Sequence, residues 1–148
     1  MSTLLTNDCP TGQMLHFRFV FPCSRYRLKL GLIDLGDFYR LGNYAKEGHC
    51  PSDKFLRYCF PGAFADLKEF AKRKGKDVWD IETVADFWQH HHSHKESPVH
   101  CGKVVSIDPH FVTVEVSGKI TRTTNPFMLM IKPGDEVFFH QRVIGQKK

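Results

Sequence analysis

The spacing of apolar positions changes character along this chain. Residues 14–21, MLHFRFVF, set Leu15, Phe17, Phe19 and Phe21 against His16, Arg18 and Val20. That period of two predicts a strand with one buried face. The preceding residues, 1–13, are polar and turn-forming without any period and predict a flexible terminus. From Asp34 the spacing becomes helical: Phe38, Leu41 and Ala45 fall on one face, Asp34 is a candidate N-cap and Gly48 a stop. Ser52 caps a short segment through Phe55, Leu56 and Cys59, which Pro61 breaks. Phe64, Leu67, Phe70 and Ala71 then form the stripe of a further helix ended by Gly75. Asp80 caps the last helix, with Ile81, Val84, Phe87, Trp88 and His91 on its apolar side. Asp86, His90 and His94 follow at four-residue intervals on another side.

Between residues 90 and 104 the period switches from helical to alternating. Val104-Val105-Ser106-Ile107 and Val112 to Val116 carry β-branched residues at strand spacing, separated by Asp108-Pro109. Ser117-Gly118 turns into Lys119 to Thr123, and Lys132-Pro133-Gly134-Asp135 into Glu136 to His140 and then Arg142-Val143-Ile144. About five short strands in so few residues are expected to close into a small barrel, which hides sheet edges. The predicted fold class is α+β, a helical N-terminal region followed by a small C-terminal antiparallel β-barrel. The expected divisions are a terminus over 1–13, a mainly helical region with one N-terminal strand over 14–96, and the barrel over 97–148. The shorter part is too small to be expected to fold independently.

Composition narrows the class. An apolar content of 41% suffices for a core, and a formal charge of +5 permits contact with phosphate or acidic surfaces without requiring it. The densest basic run, Lys72-Arg73-Lys74-Gly75-Lys76, reads as a helix C-terminus, where cations complement the dipole. Five cysteines, an odd number without a C-x-x-C pair, predict reduced thiols and a cytoplasmic protein. No apolar run approaches the ~20 residues that cross a bilayer, so no membrane insertion is expected.

The order Gly102-Lys103-Val104, a turn, the strand Val112 to Val116, Gly118, and the closing Gly134-Asp135-Glu136-Val137-Phe138-Phe139-His140 resembles the small barrel of the HypC/HupF hydrogenase-maturation chaperones. The resemblance covers residues 102–146 and implies a non-enzymatic assembly factor that docks on a protein partner and handles a metal centre. In that family an N-terminal Met-Cys supplies a cysteine that helps carry iron. In this chain Cys101 directly precedes Gly102 deep inside the sequence, and Gln141-Arg142-Val143 stands where the family usually carries Gly-Phe-Ala.

The residues themselves offer two chemistries. His90 and His94, one helical turn apart, with His100 and Cys101 beyond the Pro98 bend, supply imidazole and thiolate donors suited to a transition metal such as zinc, nickel or iron. Cys50 or Cys59 are alternative donors. The competing reading makes the tract a solvated helix end and the cysteines ordinary thiols. Small barrels also bind single-stranded nucleic acid, and Phe111, Lys119, Arg122, Phe127, Lys132, Phe139 and Arg142 supply the required aromatic and basic types. Against this, a barrel so small needs its aromatics for packing, and the test is whether two or more of these rings are exposed on one basic face. No nucleotide loop, H-E-x-x-H helix or G-x-S-x-G elbow occurs, and Cys101 beside His100 offers only adjacency, so enzymatic activity is the less expected outcome.

Overall fold

The structure, a computed structural model, describes residues 11–92 and 98–148. Its first element is a helix, α1 (Gly12–Val20), where the alternating pattern predicted a strand. The alternation was real but uninformative, because both parities are buried: Met14, Leu15, His16, Phe17, Arg18, Phe19 and Val20 all lie in the interior. A segment buried all round gives no exposed face from which to choose between periods of 2 and 3.6. The local signal that prevails is Thr11, whose hydroxyl accepts from the Met14 N–H at 3.1 Å and caps the helix.

A 3-10 turn (Phe21–Cys23) leads into α2 (Ser24–Lys29), α3 (Leu35–Glu47), α4 (Asp53–Cys59), α5 (Pro61–Lys74) and α6 (Ile81–Asp86). The punctuation expected from sequence is in place. Asp34 and Asp37 form a reciprocal capping box, and Ser52 and Asp80 cap α4 and α6. Gly48 and Gly75 end α3 and α5 in the left-handed conformation, at φ 73° and 68°.

After α6 the chain winds into a π-helical turn, Phe87–His91, closed by the His92 N–H on the Phe87 carbonyl. A π turn holds more residues than an α turn and so rotates everything beyond it. His91, expected on the apolar side, is therefore exposed, its ring against Phe70 and its Nε2 3.7 Å from Asp86. His92 instead leans on the buried Trp88, centroids 4.3 Å apart.

The strands β1 (Val99–Ile107), β2 (Val112–Val116), β3 (Lys119–Thr123), β4 (Glu136–His140) and β5 (Val143–Lys147) form one antiparallel sheet in the order β3-β2-β1-β4-β5. Register irregularities between Val104 and Ser106 and between Phe138 and Phe139 bend it. The expected barrel is not closed. The two edges meet at one parallel bridge, Thr124 to Val143, where Thr124 N donates to Arg142 O and Ile144 N to Thr124 O, both at 2.9 Å.

Val104, Val112, Val114, Val137, Phe139 and Ile144 bury the concave face of the sheet, and α1 lies against β5 and α6. One apolar cluster therefore runs through both halves of the chain, from Leu15 and Phe17 to Val137 and Ile144. The change of period marks a change of element within a shared core. Gly102 opens room for this packing, since a Cβ there would meet Val114 and Val116 side chains and the Glu115 carbonyl. We expect Gly102→Ala to destabilise by about 1–3 kcal/mol, the usual cost of overpacking. Urea titration checks this, and an unchanged midpoint would contradict it.

Candidate nucleic-acid interface

Among the proposed metal donors, His90 is exposed on the π-helical turn, and His100 and Cys101 are exposed neighbours on β1. Consecutive strand residues face opposite ways. His100 packs on Phe139, centroids 5.5 Å apart, while Cys101 stands in register with Phe138. His94 lies outside the described residues. Among the described residues, no group of three or more His, Cys, Asp or Glu side chains is placed to hold a metal ion. The alternative thiols are held neutral. Burial pushes Cys59 up to about 12, reinforced by Asp37, and burial likewise raises Cys50 to about 11 while its thiol donates to the Pro51 carbonyl. The Cys101 thiol is also raised, by burial before the opposing influence of Lys148.

The basic and aromatic residues divide differently. Phe127 and Phe139 are 1% and 4% exposed and serve the core, as their role in a small sheet requires. Phe111 is exposed, but Arg122 stacks over it at 5.2 Å on the convex face. Lys132 is engaged by Asp135 at 3.2 Å. Lys119 and Arg142 come together, although 23 positions apart in sequence. Lys119 opens β3, Arg142 lies in the β4–β5 turn, and curvature of the sheet brings both to the rim of its concave face. With Pro98, His100, Thr121 and Gln141 they line a cleft of about 650 Å³.

A second cleft, about 600 Å³, lies beside the first. Gln141 lines both. The walls of the second cleft come from α2 and α3: Arg25, Tyr26 and Lys29 on one, Phe38 and Tyr39 on the other, with Phe21 and Pro126 at its floor. Tyr26 and Tyr39 are each 61% exposed. Neither cleft has a carboxylate in its lining. Arg25, Lys29, Lys119 and Arg142 make no ion pair among the described residues. Uncompensated cations along a concave, low-dielectric surface focus a positive potential.

The condition set for the sheet's own aromatics is not met, since of Phe111, Phe127 and Phe139 only Phe111 is exposed; the exposed rings beside free cations are instead tyrosines of the helical region. Sequence reasoning confined the search to the strands and passed over Arg25, Tyr26, Lys29 and Tyr39. A signal was present in Arg25-Tyr26-Arg27-Leu28-Lys29, where an aromatic is flanked by cations. Arg27 is spent on structure, its Nε donating to the Cys59 carbonyl at 2.8 Å. Among the described residues no helix is long and apolar enough to cross a membrane. The chain matches no protein-family model, and no curated protein is similar to it.

Proposed function

We propose that the protein is a non-enzymatic binding module for single-stranded nucleic acid, RNA in particular, which lies along the two neighbouring clefts. The observation that supports this reading is the pair of clefts itself: four cations and two solvent-facing tyrosines line two clefts that share Gln141 and have no carboxylate in their linings. Phosphates would be met by Arg25, Lys29, Lys119 and Arg142, and bases would stack on Tyr26 and Tyr39. Each stacked base is worth about 1–3 kcal/mol and is tolerant of sequence, because every base has a π-face. A duplex would present its bases stacked on one another and leave the tyrosines without partners.

Fluorescence anisotropy with a labelled 20-nucleotide RNA tests the reading. Engagement of four phosphates gives a slope of log K against log salt of about −3, from the ~0.7 counterions released per single-strand phosphate. Reversal to Glu of Arg25, Lys29, Lys119 and Arg142 together should abolish binding at low salt and leave the melting temperature within a few degrees. Arg122→Glu, on the convex face, should bind as the unaltered protein does. Absence of binding at low salt, or binding indifferent to the fourfold reversal, would remove the proposal.

A further inference from the structure

The two hairpins beside the groove are built alike but furnished differently. Each has a two-residue loop with both central residues at positive φ: Ser117 and Gly118 at 52° and 81° between β2 and β3, Gln141 and Arg142 at 51° and 66° between β4 and β5. This is the mirror-image turn that matches strand twist, and it favours Asn-Gly or another glycine-containing pair, because a Cβ crowds the backbone at positive φ. The first hairpin has its glycine. The second places two long side chains in both unfavourable positions.

Strained backbone persists where surrounding bonds over-determine it, and it concentrates at ligand contacts. At this turn the over-determining bonds are present, and the turn lines a cleft on either side. The Arg142 carbonyl is pinned by Thr124 N, the following Ile144 N by Thr124 O, and Gln141 Nε2 leans on Cys23 Sγ at 3.6 Å. Gln141 is the residue shared by the two clefts, and Arg142 sits beside it on the rim. Both side chains are exposed, so core packing does not account for their size.

We infer that the β4–β5 turn is a ligand-contacting element, held strained so that Gln141 and Arg142 meet the strand where it passes from one cleft to the other. This inference rests on the proposed binding of single-stranded RNA. The Arg142 guanidinium forks onto a phosphate, the geometry that makes arginine suited to that group. The Gln141 amide directs its N–H toward Cys23 and so leaves its carbonyl oxygen to accept from the N–H edge of a base. The turn thereby adds base contact to a groove otherwise built for backbone and stacking.

The test replaces the pair by what the backbone prefers. In Gln141→Asn/Arg142→Gly, relief of strain should raise the melting temperature by about 5 °C. Binding of the 20-nucleotide RNA should weaken at least tenfold, and the salt slope should shrink by about one phosphate's share. Arg142→Gly alone, a smaller perturbation, should show the same signs with part of each effect. Undiminished affinity in the double variant would overturn the inference, and so would a lowered melting temperature. In either case the wider groove reading would stand as long as the fourfold charge reversal still abolished binding. No binding by the unaltered protein would remove both.

Discussion

Trp88→Ala is expected to cost most of the protein's stability. The Trp88 side chain is fully buried and is the largest such group in the core. It stacks on Phe19 of α1 at 5.5 Å, meets Phe87 edge-on, and lies 4.3 and 5.4 Å from the rings of His92 and His140. It therefore joins the first helix, the π-helical turn and β4. Its Nε1 also donates to His16 Nδ1 at 3.0 Å. Removal creates a cavity worth about 3–5 kcal/mol and strands a buried acceptor at a further cost of about 1–3 kcal/mol. Domains of this size have only about 5–15 kcal/mol in total. Urea unfolding followed by circular dichroism should show a collapsed midpoint or no cooperative transition. Trp88→Phe keeps a ring but loses the donor, and should cost roughly the hydrogen-bond share alone. A midpoint for Trp88→Ala within 1 M urea of the unaltered protein, about 1–3 kcal/mol at ordinary slopes, would show that the core does not depend on this residue.

Acid should weaken the fold through His16. Complete burial lowers this imidazole to about 3, with His92 adding in the same direction. Nδ1 accepts from Trp88, which leaves the proton on Nε2, a buried nitrogen with no hydrogen-bond partner. The folded state therefore holds His16 neutral, whereas the unfolded chain takes up a proton near pH 6.5. Below that pH the unfolded state binds one more proton than the folded state, so stability falls as pH falls. It is fully present above about 6.5 and is lost toward 3, at about 1.4 kcal/mol per pH unit. Denaturation midpoints between pH 7 and 4.5 should show this decline. His16→Asn, whose carboxamide oxygen can take the Trp88 hydrogen bond, should flatten it by one proton. A pH-independent midpoint over that range would refute the assignment.

The elements legible in the sequence were those fixed by neighbours in the chain. Asp34, Ser52 and Asp80 cap helices because a carboxylate or hydroxyl reaches an amide three residues on, and Gly48 and Gly75 end them because glycine adopts positive φ. The alternation of β2 was equally readable, since Val112 and Val114 are buried while Glu115 is exposed. Legibility failed where burial surrounds the segment. In α1 every side chain from Met14 to Val20 is covered, by β5 and α6 among others, and the buried His16 and Arg18 gave a period-two contrast that corresponds to no exposed face. It failed again at His91, because a π turn depends on how Trp88 and Phe87 seat in the core and leaves no periodic mark.

The candidate site divides along the same line. By itself the sequence determined an α+β chain, its caps, stops and turns, and a positive charge without a catalytic signature, and it offered Lys119, Arg122 and Arg142 as candidate cations for phosphate. Each of these depends on interactions within a few residues, or on composition alone. Only the tertiary structure decided that Lys119 and Arg142 share a cleft while Arg122 does not, since the bend of the sheet and the parity of β3 sort them onto its two faces. It also decided that Tyr26 and Tyr39 line a cleft beside this one, where α2 and α3 meet the strand edge at the Thr124–Val143 bridge. Those residues are brought together by burial of apolar faces, a non-directional force that acts on the whole chain at once.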